Sequence, residues 1–226
     1  MADSKRTGAS APAELATRAT ERPGVLEAAG ALLARPGRRF IAIVGAPGSG
    51  KSTFATQICA ELESQSPGAV AVLQMDGFHY DDAVLRAKGR LPWKGAPDTF
   101  DVGGLKSTLQ RLRDPSEGAV AVPVFDRNLE LSRAAARIIP PDVRLIITEG
   151  NYLLLDREPW REIAPLFDLT VYLSVSEEEL RRRLTGRWEG YDLSPEEITF
   201  KLEENDVPNG RTVIKESLPA NLIITD

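Results

Sequence analysis

Apolar residues along this chain fall into two patterns that alternate from the first third to the end. Short, nearly continuous runs rich in Val, Ile and Leu predict buried strands. These runs cover residues 40–44, 69–75, 119–125, 143–148, 169–175 and 221–224. Between them, apolar residues recur at a spacing of three and four, which predicts helices. Nearly all-apolar strands that alternate with helices indicate a parallel sheet covered on both faces.

The helical spacing predicts helices over residues 25–33, 53–64, 102–112, 160–166 and 176–185, and one more that opens at Ser194. Ser176 and Ser194 are suited to cap their helices, and a proline follows Ser194 in the first turn. Pro123 interrupts the strand at 119–125, which predicts an edge position or an excursion from the sheet. Residues 81–101 mix Gly, Pro and Trp and predict a long ordered loop with one helical turn.

The first 22 residues are mainly Ala, Ser, Thr, Pro and charged residues and lack the apolar core of a signal peptide. We expect residues 1–22 to form a flexible tail and residues 23–226 to form a single domain. No linker or internal repeat divides the rest of the chain.

Composition excludes several classes of protein. The 226 residues are 42% hydrophobic and 27% charged, with a net charge of −5, which argues against a nucleic-acid or anionic-membrane partner. No apolar run approaches the ~18 residues of a membrane span. The single cysteine allows no internal disulfide and fits a reducing cytoplasm.

A phosphate-binding pattern, G-x-x-x-x-G-K-[ST], follows the first apolar strand and precedes a helix. The residues that fill it or directly follow it are Gly45, Ala46, Pro47, Gly48, Ser49, Gly50, Lys51, Ser52 and Thr53. Glycines let backbone N–H groups close around a phosphate, and the helix N-terminus adds partial positive charge. Lys51 is expected to reach the β- and γ-phosphates, and Ser52 to ligate Mg²⁺.

Two carboxylates follow other predicted strands. Asp76 comes after the strand at 69–75, and Glu149 comes after the strand at 143–148. Because ligands of open parallel sheets bind outside the carboxyl ends of the strands, we expect both near the phosphate loop. Glu149 is a candidate to hold Mg²⁺, and Asp76 a candidate base that orients an attacking hydroxyl, with a turn-capping role as the alternative for Asp76.

An ordered set of motifs makes the chain resemble a known superfamily. The set is GAPGSGKST, MDGFHYDD, KGAPDTFDVGGL, PVFDR, ITEGNYLLLD and ENDVPN. It resembles the P-loop kinases of the pantothenate kinase, uridine kinase and phosphoribulokinase superfamily, nearest the nucleoside/nucleotide kinase-like or fructose-transport-system kinase branch. The resemblance implies an α/β P-loop NTPase fold, a three-layer αβα sandwich with a five-stranded, mainly parallel sheet and a helical lid at about 181–193. It also implies ATP and Mg²⁺ as cofactors.

The resemblance carries roles onto matching positions. Asp76 matches the proposed catalytic base, and Glu149 matches the acid of the EG motif. The residues that match the acceptor site are His79, Tyr80, Lys94, Phe100, Asp126 and Arg127. Arg183 and Arg187 match lid arginines that close over the transferring phosphate, while Asn205 and Asn209 match an element near the nucleotide base. A packing role for His79, a turn-forming role for the asparagines and a solvated face for part of the arginine cluster stay open.

We therefore expect a cytoplasmic kinase that transfers the γ-phosphoryl group of Mg·ATP to a hydroxyl of a small metabolite, with a fructose-like sugar or ribosyl compound favoured. A pantothenate- or uridine-type kinase is the alternative. A regulatory switch would carry N-K-x-D, and a transporter ATPase an L-S-G-G-Q-like stretch, and the sequence contains neither. A degenerate relative would not be expected to keep Lys51, Ser52, Asp76 and Glu149. Since family members are often dimers, the resemblance also allows a homodimer.

Overall fold

The computed structural model describes residues 18–191 and 193–225. In chain order its strands are β1 (Arg18–Ala19), β2 (Arg39–Gly45), β3 (Val70–Gln74), β4 (Val120–Asp126), β5 (Leu131–Ile139), β6 (Leu145–Gly150), β7 (Leu169–Ser174) and β8 (Leu222–Thr225). Six of them form an all-parallel sheet in the order β1-β8-β7-β2-β6-β3. The predicted five-stranded parallel sheet is confirmed, with the two-residue β1 added at one edge.

Helices cover both faces of this sheet. They are α1 (Arg22–Leu33), α2 (Lys51–Gln65), α3 (Asp82–Ala87), α4 (Val102–Arg113), α5 (Glu177–Glu189), α6 (Pro195–Phe200) and α7 (Val207–Glu216). Alternate residues of β2 enter two separate apolar clusters. Ile41 and Ile43 pack with residues of α1 and α2, whereas Phe40, Ala42 and Val44 pack with residues of α4 and α7. The three-layer sandwich follows from this alternation, because successive side chains of a strand point to opposite faces.

The predicted tail is shorter than expected at its C-terminal end. Residues 1–17 lie outside the described residues, but β1 pairs in parallel with β8, and α1 already begins at Arg22. Pro23 lies in the first turn of α1, where its fixed φ and missing N–H are tolerated. The ordered domain therefore starts before residue 23.

β4 and β5 form an antiparallel hairpin outside the main sheet. This confirms the excursion that Pro123 predicts, and the register of the hairpin shifts between Val122 and Val124, beside that proline. β5 was not predicted, because its sequence, LSRAAARII, has alanines and arginines in place of the β-branched residues that mark strands.

The segment at 81–101 is more ordered than its composition suggests. It contains α3 and two short 3₁₀ turns, Leu91–Trp93 and Pro97–Thr99. Two buried aromatic side chains hold its backbone: the Tyr152 hydroxyl donates to the Gly95 carbonyl at 2.7 Å, and the Trp160 indole N–H donates to the Pro97 carbonyl at 3.0 Å. The predicted helix at 160–166 is instead two 3₁₀ turns.

The region after Ser194 forms one long helical segment. α6 continues through a π-helical turn, Lys201–Asp206, directly into α7. Ser194 caps the segment as predicted, in a reciprocal pair with Glu197. Within residues 18–191 and 193–225, no helix has the length and apolar character needed to cross a membrane.

Gly150 is a position where the fold tolerates no side chain. A Cβ there would lie 2.4 Å from the Cβ of Met75. We expect Gly150→Ala to lower the free energy of unfolding by about 1–3 kcal/mol, as overpacking does in a filled core. Gly30→Ala is the matched control: nothing lies within 4 Å of its added Cβ, so stability should rise by about 0.5–1 kcal/mol. Urea denaturation measures both, and an unchanged midpoint for Gly150→Ala would contradict the packing described here.

Candidate active site

The phosphate loop connects the end of β2 to the start of α2. Gly48 and Gly50 have φ angles of +81° and +85°, in the left-handed region that glycine adopts without strain. The Ser49 N–H donates to the Ala46 carbonyl at 3.0 Å and closes the turn. The first backbone N–H groups of α2 therefore face an open cavity, where an anion is stabilised.

Lys51 lies between two carboxylates. Burial lowers the pKa of the Lys51 ammonium, while the negative charges of Glu149 and Asp76 act in the opposite direction. A lysine ammonium held between two carboxylates beside a helix N-terminus can pair with an arriving phosphate without rearrangement of the backbone.

Ser52 and Glu149 form a pair of oxygen ligands under the loop. The Ser52 hydroxyl donates to Oε2 of Glu149 at 3.0 Å, and Glu149 is only 2% exposed. Burial raises the pKa of Glu149, against the nearby Lys51 charge, and its Oε1 has no hydrogen-bond partner among the described residues. The described residues assemble no cluster of three or more His, Cys, Asp or Glu around a metal site. The unpartnered oxygen beside a hydroxyl fits a Mg²⁺ ion that takes its other ligands from phosphate and water.

Asp76 faces this group from a 3₁₀ turn after β3. Its Oδ2 accepts a hydrogen bond from Arg127 at 3.0 Å. Burial on its own would raise the pKa of Asp76, but His79, Lys51, Arg127 and Arg187 outweigh it and lower the pKa. Asp76 is therefore ionised at neutral pH.

The hairpin comes close to Asp76 because the next residue is glycine. A Cβ on Gly77 would lie 2.8 Å from the Pro123 carbonyl oxygen. This approach brings Phe125 and Arg127 of the hairpin to the carboxyl end of β3, across the main sheet's edge. Gly77 and Pro123 are more than forty positions apart, so the sequence alone does not indicate this contact.

His79 is part of an aromatic wall. Its ring centroid lies 4.0 Å from that of Phe100 and 4.9 Å from that of Phe125. His79 Nδ1 lies 2.8 Å from the Asp76 carbonyl oxygen, which can only accept, so we assign the proton to Nδ1. Burial lowers the pKa of His79, which leaves the ring neutral at pH 7 with Nε2 as an acceptor.

Lys94 connects the aromatic wall to α3 and to the turn of the hairpin. Its ammonium donates to Asp82 at 2.7 Å and to the Glu130 carbonyl, and it lies 5.4 Å from the centroid of the Phe125 ring. Glu130 has a φ of +51°, a left-handed conformation at the turn of the hairpin. The Lys94 contact thus holds the hairpin turn against α3.

The arginines of the predicted lid lie on α5. The Arg183 guanidinium donates to Glu179 at 2.7 Å and to the Ser49 carbonyl of the phosphate loop at 3.5 Å. Arg187, one turn later, lies over the ring of Trp188. Arg181 pairs with Glu203 and Arg182 with Glu179, and neither lines the cavity, so the solvated-face alternative suits these two members of the cluster.

One open cavity of about 410 Å³ gathers most of the predicted residues. Those that line it are Pro47, Gly48, Gly50, Lys51, Ser52, Thr53, Asp76, His79, Lys94, Phe100, Arg127, Arg183, Arg187, Asn205 and Asn209. Gly45, Ala46 and Ser49 form the loop behind this lining, and Glu149 lies beneath it.

Two predicted acceptor residues lie elsewhere. Asp126 is the half-buried last residue of β4, and its carboxylate accepts from the backbone N–H groups of Asn128 and Leu129 and pairs with Arg133. Tyr80 is outside the cavity lining, and its ring is covered by the Lys88 ammonium at 4.2 Å. Asp126 matched a family motif, but its backbone partners make it a cap of the hairpin turn.

Asn205 and Asn209 are buried and bonded to protein. The Asn209 side-chain N–H donates to Oδ1 of Asn205 at 2.9 Å, and the Asn205 side-chain N–H donates to the Lys94 carbonyl at 3.0 Å. These bonds connect the π-helical turn and α7 to the segment at 81–101, which we call the acceptor loop. They favour the structural alternative for both residues over contact with a nucleotide base.

A second, largely apolar cavity of about 310 Å³ lies on the other side of the phosphate loop. Phe54, Leu173, Val175 and Ile224 contribute its apolar lining, at the carboxyl ends of β7 and β8 and on α2. Gly50 and Thr53 line both cavities. The loop therefore separates an apolar cavity from a charged one.

Several lining residues were not predicted to act there: Phe125, Glu130, Asn151, Trp188 and Lys201. Asn151 directly follows Glu149-Gly150, and that position was the available signal. Trp188 faces the cavity from the end of α5. Lys201 and Asp206 belong to the π-helical turn, which periodicity does not reveal.

Comparison with known proteins gives one family. The model of the phosphoribulokinase/uridine kinase family matches residues 40–189. The uncharacterised protein YggC of Escherichia coli K12 is 36% identical over 193 residues, covering 84% of this chain and 78% of that protein. A crystal structure from Silicibacter sp. TM1040, named a "putative fructose transport system kinase", superposes with a TM-score of 0.82 at 36% identity, covering 90% of this chain and 98% of that one.

A pantothenate kinase of Shouchella clausii is 32% identical over 161 residues, or 66% of this chain. The chain spans about half the length of that relative, which it matches over 49% of its residues. The similarity therefore covers two thirds of this chain and about half of that pantothenate kinase.

The asparagine pair generates a test. Asn209→Ala leaves the buried Oδ1 of Asn205 without its donor, so we expect the free energy of unfolding to fall by about 1–3 kcal/mol. Affinity for ADP, measured by titration calorimetry, should stay within about threefold, well short of the tenfold that 1.4 kcal/mol represents. Ile214→Ala, an exposed change on the same helix, is the control. A tenfold loss of ADP affinity in Asn209→Ala alone would return Asn209 to the nucleotide site.

Proposed function

This chain belongs to the phosphoribulokinase/uridine kinase family, and as an ATP-dependent kinase of that family we propose that it phosphorylates a hydroxyl group of a sugar or ribosyl metabolite. One observation carries the proposal: Gly50 and Thr53 line both cavities. A nucleotide whose base occupies the apolar cavity directs its terminal phosphate past the loop into the charged cavity, toward Asp76.

On the donor side, backbone N–H groups of the loop and the N-terminus of α2 bind the phosphates, and Lys51 adds a full charge. Ser52 and Glu149 would hold Mg²⁺, which when bound neutralises phosphate charge. Arg183, which contacts the loop itself, and Arg187 would stabilise the charge on the moving phosphoryl group.

Asp76 orients the acceptor. In the transfer, the bond from the γ-phosphorus to the β–γ bridging oxygen breaks, a bond from the acceptor oxygen forms, and ADP leaves with the electron pair. The lowered pKa makes Asp76 a weak base, so its main contribution is to align the hydroxyl. In a loose transition state the hydroxyl proton is lost late, and Asp76 accepts it at that point.

The cavity residues on the Asp76 side of the phosphate loop, which form the acceptor half of the site, suit a polyol. Phe125 and the edge of the largely buried Phe100 line the cavity and would contact the C–H side of a sugar, while neutral His79 and the Asp76–Arg127 pair offer acceptors and donors to its hydroxyls. The name of the Silicibacter relative, which contains fructose, points the same way. This arrangement is what favours a fructose-like or ribosyl acceptor.

Pantothenate- and uridine-type acceptors are the alternative. The cations of Lys94 and Arg127 near the Phe125 ring suit a carboxylate, and the aromatic wall suits a base. A regulatory switch needs no acceptor half of this kind. A cytoplasmic location follows from the use of ATP in this proposal, and the homodimer stays a prediction.

The proposal is tested by ADP release from Mg·ATP over a panel of fructose, other sugars, polyols, ribosides, uridine and pantothenate. We expect one chemical group to stimulate release well above the rate with water. Stimulation by pantothenate or uridine alone would select the alternative. Equal, slow release with every compound would contradict a kinase that acts on this panel.

Asp76→Asn should separate binding from transfer. The variant keeps the shape of the site but loses the charge that aligns the hydroxyl and cannot accept its proton, so we expect kcat to fall by about 10²–10⁴-fold. Affinity for ADP should change little, because Asp76 lies on the acceptor side of the loop. Asp142→Asn, at an exposed and distant carboxylate, is the control. Near-normal turnover in Asp76→Asn would exclude Asp76 as the base.

A further inference from the structure

Trp188 carries two cations on one ring. The guanidinium carbon of Arg187 lies 4.9 Å from the ring centroid, and the ammonium of Lys201 lies 4.7 Å from it. Both cations therefore lie within about 10 Å of each other. All three residues line the cavity that contains Lys51 and Asp76.

These two like charges repel each other. Within the described ranges, no carboxylate oxygen comes within 4 Å of a side-chain nitrogen of Arg187 or Lys201. Attraction to the ring face is the contact that the structure provides for both. Cations gathered around a phosphate-facing cavity without a salt-bridge partner are arranged for an anion that arrives with a ligand.

Asp206 is the carboxylate near both Arg187 and Lys201, and it is already hydrogen-bonded to Trp188. Its Oδ2 accepts a hydrogen bond from the Trp188 indole N–H at 2.7 Å. Burial raises the pKa of Asp206, and the Trp188 hydrogen bond and the charges of Arg187, Lys201 and Lys51 act against that rise. Asp206 therefore fixes the orientation of the ring and attracts the three cations from behind.

The position of Lys201 follows from the helix in which it lies. Lys201 is the first residue of the π-helical turn, and Asp206 is the last. A π turn is a wider turn that often occurs at functional sites, and this one leaves Lys201, Asn205 and Asp206 all on the cavity lining. Arg187 also lies near enough to Lys51 and Asp76 to influence the pKa of both, so one cation of the Trp188 group is close to the phosphate loop and to Asp76.

We propose that Lys201 is a further catalytic residue that contacts the transferring phosphoryl group together with Arg187, and that Trp188 is a positioning residue that holds both cations over the cavity. The inference rests on the proposed phosphoryl transfer. Lys201 exchanges no proton in it. Its charge stabilises the peripheral oxygens of the phosphoryl group while the bond to ADP breaks and the bond to the acceptor forms.

The experiment compares binding of Mg·ADP alone with binding of Mg·ADP plus aluminium fluoride, a planar anion that mimics the moving phosphoryl group. Titration calorimetry on the full chain gives both affinities for the wild type, Lys201→Met, Lys201→Arg and Arg187→Met. Lys215→Met is the matched control, because Lys215 is an exposed lysine on the helix that continues from the same segment. No acceptor needs to be known.

We expect aluminium fluoride to strengthen ADP binding to the wild type and to Lys215→Met equally. Lys201→Met should bind Mg·ADP normally but lose about tenfold of that gain, as a lost charge-assisted contact does. Lys201→Arg should recover most of the gain. A full gain in Lys201→Met would overturn the inference, and so would an equal loss of affinity for Mg·ADP alone.

A separate pair of variants tests the role of Trp188. Trp188→Leu removes the ring face and should lose the gain to a similar extent, whereas Trp188→Phe keeps a ring and should retain part of it. An undiminished gain in Trp188→Leu would remove the positioning role. If instead the wild type gains nothing from aluminium fluoride, the proposed phosphoryl transfer is itself wrong, and this result is distinct from any failure at Lys201.

Discussion

The structure depends on a charge group at the carboxyl ends of β2, β3 and β6. Lys51 lies between Glu149 and Asp76, so one ammonium faces two carboxylates, of which Glu149 is buried and Asp76 lines the open cavity. Charges placed there must be compensated, and burial acts on them in opposite ways, raising the pKa of Glu149 and lowering that of Lys51. The register of the parallel strands fixes this group, since Glu149 lies beside Ile43 on one side and Gln74 on the other. The phosphate loop, the acceptor loop and the lid are arranged around that fixed group.

The donor half of the site could be predicted because its signals are local. Gly48 and Gly50 stand where the backbone has positive φ, the apolar run before them is too short and too β-branched to be a helix, and the residues after them show helical spacing. Asp76 and Glu149 could be placed for a related reason: they end strands of one parallel sheet, whose ligands bind at that edge. For these residues, the position at the carboxyl end of a predicted strand is enough to place them at the site.

The acceptor half could not be predicted to the same depth, because distant contacts build it. Gly77 meets Pro123, Lys94 meets Glu130, and Asn205 meets the backbone of Lys94. The alanine-rich β5 has no strand pattern, and the π-helical turn has no periodic signal, so the partners of these contacts were hidden. The same limit explains why Asp126 was assigned to substrate: a motif places a residue in the chain, whereas its hydrogen bonds to Asn128 and Leu129 appear only in the fold.

The hairpin of β4 and β5 lies outside the parallel sheet, yet it supplies Phe125, Arg127 and Glu130 to the cavity. Val120, Val122 and Ile139 of the hairpin pack in the core, whereas Phe125, Arg127 and Glu130 lie near its turn, outside the strand register that holds Glu149 and the phosphate loop. Under the proposed function, we expect substitutions at these three positions to alter the acceptor site more than nucleotide binding. In evolutionary terms the tip of the hairpin would then act as a separable specificity module, in which relatives that share a donor site could differ in the molecule they phosphorylate.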